Sequence, residues 1–135
     1  MTDVSAAKLY PAPVIDPETK PFWDACAEGR LLIKHCLMCD ERHYPPRALC
    51  PFCFSDNTAF EQSKGEGEIY TFSVMRRSPT GPFAIGYVSL DEGPAVLTNF
   101  VDCDFDQLAI GQRVAVKFAP AEGGVSLPVF APVKA

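Results

Sequence analysis

The chain has 135 residues, of which 47% are hydrophobic, and its formal net charge is −5 at neutral pH. This length supports one or two small folding units, and the negative charge disfavours attraction of a polyanion by the overall field. No apolar run approaches the roughly 18 residues of a membrane span, and residues 1–16 lack the apolar stretch of a signal peptide. These features predict a cytoplasmic globular protein.

The first part of the chain divides into a tail and a short helix. Residues 1–16 show no periodicity and are predicted to form an extended tail. A helix is predicted over residues 17–28, because Asp16 is a suitable N-cap and Pro17 suits the first helical position. Gly29 suits the position that follows a helix C-terminus.

Two adjacent aromatic residues lie on this predicted helix. Phe22 and Cys26 are spaced i, i+4 and form an apolar stripe. Trp23 cannot share the face of its neighbour Phe22, so one of the two rings is predicted to point outward. Phe22 and Trp23 are therefore candidates for a partner interface, and a packed helix face is the alternative.

Two CxxC pairs, in the segment HCLMCDERHYPPRALCPFC, are the strongest signal in the chain. Two thiolates two residues apart can reach one tetrahedral metal from a tight turn, and two such turns supply the four sulfurs of a structural zinc site. The spacing therefore predicts one zinc per chain, bound by Cys36, Cys39, Cys50 and Cys53. Four thiolates leave no open position for water or substrate, which indicates a structural rather than a catalytic metal.

Other interpretations of these cysteines fit less well. Disulfides need an oxidising compartment, and a thioredoxin-like pair needs a CxxC at the start of a helix, whereas loop residues such as Pro51 flank the pairs here. His35 and His43 could replace a sulfur, but they are predicted to line the knuckles or face solvent. Iron in the same four-sulfur cage stays an alternative to zinc.

From residue 65 onward, β-branched and aromatic residues recur with period two, which is typical of strands. Five strands are predicted, over residues 67–77, 83–91, 95–102, 113–119 and 125–130. Residues 105–111 are too short for more than one helical turn. The pattern predicts a mainly β protein with a five-stranded Greek-key barrel of the OB type over residues 65–135, preceded by a helix and zinc ribbon over residues 17–64.

The sequence lacks the motifs of common catalytic sites, including a nucleophile elbow, a phosphate loop and HExxH. No catalytic residue is predicted, and the chain is predicted not to be an enzyme by itself. Cys26 and Cys103 are interpreted as small buried hydrophobic residues. Cys103 is a poor nucleophile candidate because the carboxylates of Asp102 and Asp104 would raise the pKa of its thiol.

Several segments occur in an order that carries a family resemblance: PFWDACAEGRLLIKHCLMCDERHYPPRALCPFCFS, GEGEIYTFSVMRR, YVSLDEGPAVLTNFVD, IGQRVAVKF and LPVFAPV. Over residues 17–132 the chain resembles stand-alone proteins built of a rubredoxin-like zinc ribbon and an OB-fold, long called a domain of unknown function and now associated with acyl-CoA metabolism and thiolases. Many members have glycine after each CxxC, where φ is positive. Here the residues are Asp40, which tolerates that conformation, and Phe54, which is strained by it.

The resemblance implies a non-catalytic accessory subunit with structural zinc as its cofactor. Proteins of this kind are similar to subunits that bind thiolase-fold enzymes, with the OB domain beside the acyl-CoA entrance and the ribbon beside the partner. A thiolase-fold or related acyl-CoA enzyme is thus the implied partner, and acyl-CoA is the implied ligand of the assembly. Lys64, Arg76 and Arg77 are candidate contacts for CoA phosphates, because cations of this kind bind phosphate oxygens.

Two alternatives remain beside this interpretation. Zinc ribbons and OB-folds also form nucleic-acid-binding modules, which need a basic groove interleaved with aromatic residues. Residues 65–135 carry five basic and eight acidic side chains, so binding to nucleic acid is disfavoured. The second alternative is a purely structural scaffold that holds an enzyme complex together without touching CoA, in which the strand cations only interact with solvent.

Overall fold

The structure, a computed structural model, describes residues 10–133 and consists of one helix, a three-stranded sheet and a closed five-stranded barrel. The predicted mainly β fold class is confirmed. The helix is α1 (Lys20–Ala27), the sheet contains β1 (Leu32–Cys36), β2 (Arg42–His43) and β3 (Thr58–Gln62), and the barrel contains β4 (Glu66–Met75), β5 (Phe83–Leu90), β6 (Ala95–Phe100), β7 (Arg113–Pro120) and β8 (Ser126–Pro132).

The helix begins three residues later than predicted. Its N-cap is Thr19, and the preceding residues form a turn in which the Asp16 side chain accepts a hydrogen bond from the Thr19 N–H (3.0 Å). The reason is Pro21, which lacks an N–H and whose ring would clash with the carbonyl four residues earlier if the helix began at Pro17. A later start places this proline in the first turn, where no hydrogen bond is lost.

The C-terminal end of α1 matches the prediction. Gly29 follows the helix with φ 78°, its N–H donates to the Cys26 carbonyl (3.0 Å), and the Arg30 N–H donates to the Ala25 carbonyl (2.9 Å). These two bonds define a Schellman motif. Phe22, Ala25 and Cys26 face the core, and α1 packs against both β1 and β8. The helix therefore links the ribbon sheet to the barrel.

The ribbon sheet has the antiparallel order β2-β1-β3. The central strand β1 carries the buried residues Leu32 and Ile33, which belong to the same core cluster as the barrel interior. The strand β3 was not predicted from the sequence. This edge strand (TAFEQ) is short and has no clean alternation, so it forms because β1 supplies its hydrogen-bond partners rather than because of its own pattern.

The barrel has the strand order β4-β5-β6-β8-β7 and closes between β7 and β4. Its neighbouring strands are antiparallel except for β6 and β8, which pair in parallel at Phe100 and Phe130. In chain order this is the 1-2-3-5-4-1 connectivity of an OB-fold, as predicted. A register irregularity at Tyr70 interrupts the pairing of β4 with β5, and such bulges bend a strand so that it can pair on both sides of a barrel.

The five strands lie within two residues of their predicted bounds, and residues 105–107 form a single 3₁₀ turn. Side chains alternate between the barrel interior and the surface, with Ile69, Val88 and Phe100 inside. Gly86 on β5 is buried against β4, and an added Cβ there would lie 2.1 Å from the Thr71 carbonyl oxygen. No side chain fits at this position.

Part of the predicted tail contacts the barrel. Tyr10 forms an isolated parallel bridge with Ala121, and its carbonyl accepts a hydrogen bond from the Glu122 N–H (2.9 Å). Residues 1–9 of the predicted tail lie outside the described residues. Across residues 10–133, no helix has both the length and the apolar character needed to cross a membrane.

Candidate metal centre

The four predicted ligands lie on two turns of the same construction. In each knuckle the N–H of the first cysteine, Cys36 or Cys50, donates to the carbonyl five residues later (2.9 Å in both). The carbonyl of the same cysteine accepts from the residue four positions later, Asp40 (3.0 Å) or Phe54 (2.8 Å). These two residues have φ values of 65° and 66°, as the position after a CxxC requires.

The two knuckles face each other and bring their sulfur atoms together. The Sγ atoms of Cys36 and Cys53 are 3.6 Å apart, those of Cys39 and Cys50 are 3.7 Å apart, and all four lie within 4.8 Å of one another. Tetrahedral zinc with Zn–S bonds of about 2.3 Å requires sulfurs about 3.8 Å apart, whereas a disulfide requires about 2.05 Å. The donor set therefore fits one zinc ion, and the predicted ligands are brought together.

Backbone amides support the thiolate form of these ligands. The Cys39 N–H donates to the Cys36 Sγ (3.5 Å), and the Phe52 N–H donates to the Cys50 Sγ (3.4 Å). The first of these bonds is the main reason that the pKa of Cys36 falls to about 6. The Glu41 backbone lowers the pKa of Cys39, but burial and the neighbouring sulfurs outweigh it and raise that pKa to about 12, and the pKa of Cys53 is also raised. Metal binding needs deprotonated sulfur, so the backbone favours the first thiolate, and a bound cation would favour deprotonation of the other sulfurs.

The two histidines lie beside the site without joining it. His35 Nε2 is 2.6 Å from Asp40 Oδ1, and this hydrogen bond lowers the pKa of the Asp40 carboxyl. His43 is 4% exposed, and neither of its ring nitrogens has a hydrogen-bond partner among residues 10–133. Burial lowers the pKa of His43 and so favours the neutral ring.

The two remaining cysteines are unsuited to nucleophilic chemistry. Cys26 is buried in the helix face, and burial raises the pKa of its thiol to about 12. Cys103 is half-buried against the core, where burial first, and then the carboxylates of Asp102 and Asp104, raise the pKa of its thiol. The direction predicted for Cys103 is confirmed, although burial is the larger cause.

The three candidate CoA contacts do not converge on one point. Lys64 precedes β4 while Arg76 and Arg77 follow it, and a ten-residue strand spans on the order of 30 Å. Lys64 lies beside Glu92, whose carboxylate accepts from the Lys64 N–H (2.8 Å). Arg76 forms an exposed ion pair with Asp106 (2.5 Å). A single phosphate could be reached by the arginine pair or by the lysine, but not by all three.

The two interface candidates occupy different environments. Phe22 is 2% exposed and belongs to the core, so it offers no surface to a partner. Trp23 is half-buried and contacts Phe22 edge-to-face, with ring centroids 4.9 Å apart. The prediction that one of the two rings points outward is met only in part, because Trp23 is half-buried. Of the two residues, only Trp23 remains a candidate for the partner interface.

One surface was not recognised in the sequence. Large apolar side chains around the two knuckles are 51–76% exposed. They form what we call the knuckle face: Leu37, Met38, Leu49, Phe52 and Phe54. The sequence did contain a signal for this surface. Apolar residues within and directly after a CxxC lie at the tip of a turn, where they cannot reach a core.

Two facing knuckles followed by a barrel of this connectivity define a zinc-ribbon and OB-fold protein. Comparison with family models agrees: the rubredoxin-like zinc ribbon domain of ChsH2 matches residues 23–59, and the C-terminal OB-fold domain of ChsH2 matches residues 60–119. The chain belongs to this family, which includes proteins described by the name DUF35. The family resemblance and the structural zinc are both confirmed.

Similar proteins carry several names. A probable enoyl-CoA hydratase alpha subunit of Thermomonospora curvata is 30% identical over 97% of this chain, which spans only 42% of that protein's length. DUF35 domain-containing scaffold proteins of Pyrococcus furiosus and Methanothermobacter thermautotrophicus are 32% and 34% identical, and the chain spans 61% and 67% of their lengths.

A solved structure titled an Ltp2-ChsH2(DUF35) aldolase superposes on 90% of this chain and 98% of that one, with a TM-score of 0.79 and 30% identity. A DUF35-family protein of Sulfolobus solfataricus shares the fold at 14% identity, with a TM-score of 0.65 over 87% of this chain and 86% of its own.

Proposed function

We propose that the chain is a non-catalytic, zinc-containing accessory subunit of an acyl-CoA enzyme. The observation that carries the proposal is the closed four-sulfur site, which provides structure without an open coordination position. Names of similar proteins support the class of partner, since one is a hydratase subunit, one is part of an aldolase and three are scaffold proteins. We therefore propose that the partner is an acyl-CoA enzyme subunit of the hydratase or aldolase kind. A partner with the thiolase fold is the more specific form of this proposal.

Purification of the tagged chain from its native cells, followed by mass spectrometry, tests this function. We expect an acyl-CoA enzyme subunit to co-purify in a fixed stoichiometry, and the isolated chain to show no turnover of acyl-CoA substrates. Turnover by the isolated chain would contradict the accessory role. Recovery of nucleic acid without an enzyme subunit would favour the nucleic-acid-binding alternative, which the acidic balance of the barrel half disfavours.

Arg76 and Arg77 are the cations that we propose to contact CoA phosphates in the assembled enzyme. Changing both to Ala is expected to raise KM for acyl-CoA without lowering kcat, because a phosphate contact far from the reacting atoms contributes equally to ground-state and transition-state binding. The side chain of Arg76 is 60% exposed, so solvent-screened contacts worth about 0.5 kcal/mol each predict an increase in KM of about three- to tenfold.

Lys64→Ala is the matched control for the arginine pair, since it removes a cation at the opposite end of β4. Steady-state kinetics of the reconstituted complex at low ionic strength measures both variants. An unchanged KM in the arginine variant would leave these residues as solvated surface charges and would favour the scaffold without CoA contact. A rise in KM with Lys64→Ala alone would place the ligand at the other end of the strand.

Trp23 is the helix residue that we propose to contribute to the subunit interface. Trp23→Ala is expected to weaken binding of the co-purified subunit and also to lower the free energy of unfolding by about 1–2 kcal/mol, because the ring packs on Phe22. Calorimetric titration well below the melting temperature, with zinc content checked, separates the two effects. A lower stability with unchanged affinity would show that Trp23 serves packing only.

A further inference from the structure

The outer surface of the barrel over β4, β5 and β6 carries an apolar patch. On β5, Phe83, Ile85 and Tyr87 alternate with residues buried in the barrel, so their side chains share the outer side. Strand pairing places Met75 of β4 directly opposite Phe83, and Leu97 of β6 directly opposite Tyr87. Side chains in such positions are neighbours. The five residues therefore form one continuous surface, which we call the outer barrel face.

This face is exposed although its residues are large and apolar. Met75, Ile85, Tyr87 and Leu97 are 38–54% exposed. The cross-strand partners of Ile85 on the face are Ser73 and Asn99, which are polar but uncharged. A contiguous apolar surface without a charge in its centre is typical of a site of association.

One end of the face has an excess of acidic side chains. Arg113 on β7 pairs with Asp91 (2.8 Å) and Glu66 (3.6 Å), so its charge is already shared by two carboxylates. Glu68 is exposed on the outer side of β4, where it lies opposite Ser89 of β5. No basic group among residues 10–133 forms an ion pair with Glu68. This end therefore presents an unpaired carboxylate.

The opposite end of the face has an excess of basic side chains. Arg76 and Arg77 directly follow β4, and Arg76 forms an ion pair with Asp106 (2.5 Å). Arg77 is exposed, and within the described part of the chain no carboxylate pairs with it. An extended chain from position 68 to position 77 spans about 30 Å. The unpaired carboxylate and the unpaired guanidinium thus flank the apolar patch at its two ends.

The charges at the two ends make the face complementary to a second copy of itself. Ser73, about midway between Glu68 and Arg77, pairs with Ile85, so Ile85 lies near the middle of the face. A two-fold axis through this point turns a second copy so that its basic end lies on the acidic end of the first. Glu68 of each copy then meets Arg77 of the other, and the two apolar patches cover each other. We infer that the outer barrel face is the interface of a two-fold homodimer of the free chain.

The dimensions of the face indicate a reversible dimer. Three strands about 4.8 Å apart over a length of about 30 Å cover roughly 450 Å² on each copy, less than the roughly 800 Å² per partner of a standard stable interface. The dissociation constant is therefore expected in the micromolar range. The dimer does not depend on the proposed function. It belongs to the free chain, because Arg77 cannot contact a second copy and a CoA phosphate at the same time.

Sedimentation equilibrium of the purified, zinc-bound chain from low to high micromolar concentration tests the dimer. We expect the chain to change from monomer to dimer over this range. Leu97→Glu is expected to weaken the dimer about tenfold or more, because it buries an unpaired charge in the apolar patch. Leu97 is 54% exposed in the monomer, so the melting temperature of the dilute variant is expected to stay the same. Glu122→Arg changes an exposed residue outside the face and is the control that is expected to dimerise normally.

Charge reversal tests the two-fold arrangement itself. Glu68→Arg brings two cations together at each end of the interface, and Arg77→Glu brings two anions together. Each variant alone is therefore expected to dimerise about fivefold more weakly at low ionic strength, with the difference shrinking as salt is added. An equimolar mixture of the two variants is expected to dimerise as the unchanged chain does, because both ends then join a cation to an anion. The chain with both substitutions is expected to dimerise for the same reason.

Several results would overturn the inference. A chain that stays monomeric at the highest concentration contradicts the dimer, and a dimer that Leu97→Glu leaves intact contradicts this interface. Single charge variants that dimerise as well as their mixture contradict the two-fold arrangement. A monomer that binds the co-purified enzyme subunit through Leu97 would assign the face to that subunit and would leave the proposed function intact.

Discussion

Replacing Cys39 with Ser is expected to release the zinc ion and unfold residues 32–62 while the barrel stays folded. The ribbon sheet has one two-residue strand and little core of its own, so its folding depends on the metal, whose binding contributes about 10–16 kcal/mol in zinc-finger peptides. The barrel strands, in contrast, hydrogen-bond to one another in a closed ring. Elemental analysis and amide hydrogen exchange measure the two effects separately.

Cys103→Ser is the matched control for this variant, because Cys103 is a half-buried cysteine outside the metal site. It is expected to keep one zinc per chain and normal exchange in the ribbon. One full equivalent of zinc in the Cys39→Ser protein would contradict the four-ligand site. Equal loss of protection in the ribbon and in β4–β7 would contradict the independence of the barrel and would show that α1 couples the two units tightly.

Gly86→Ala is expected to lower the free energy of unfolding by about 3 kcal/mol, at the upper end of the range for overpacked cores. The added Cβ would lie 2.1 Å from the Thr71 carbonyl oxygen and 2.7 Å from the Phe72 Cα. These are backbone atoms of the neighbouring strand, so the clash is relieved only if β4 and β5 separate. Urea denaturation followed by far-ultraviolet circular dichroism measures the change.

Gly111→Ala serves as the control for Gly86→Ala. Gly111 has φ 88° and nothing within 4 Å of an added Cβ, so its substitution is strained only by the backbone conformation and is expected to cost about 1 kcal/mol. Equal losses at the two positions would show that the contact between β4 and β5 is looser than the structure indicates.

The metal site could be predicted almost completely from the sequence, because its requirements are local. A CxxC turn specifies its own hydrogen bonds, and the structure reproduces the same pattern at Cys36 and Cys50 with positive φ at Asp40 and Phe54. The barrel strands were also predictable, since alternation of apolar and polar residues with period two indicates a strand that has one buried face. The facing arrangement of the two knuckles follows from the same requirement, since all four sulfurs must reach one ion.

The start of the helix and the strand β3 were harder, for two different reasons. Asp16-Pro17 has the composition of a helix start, but Pro21 made a later start favourable. β3 carries a weak pattern because an edge strand can form from pairing alone, here with β1. Each element depends on its neighbours as much as on its own residues.

Sequence alone determined that this protein holds four thiolates at zinc spacing and folds its second half into five strands, since both depend on spacings of a few residues. Tertiary structure alone decided that Phe22 is core while Trp23 is half-buried, and that Lys64 is separated from Arg76 and Arg77 by the length of β4. It also decided that Phe54 projects from the knuckle face. These are properties of burial and distance, which arise only when elements far apart in the chain pack against one another.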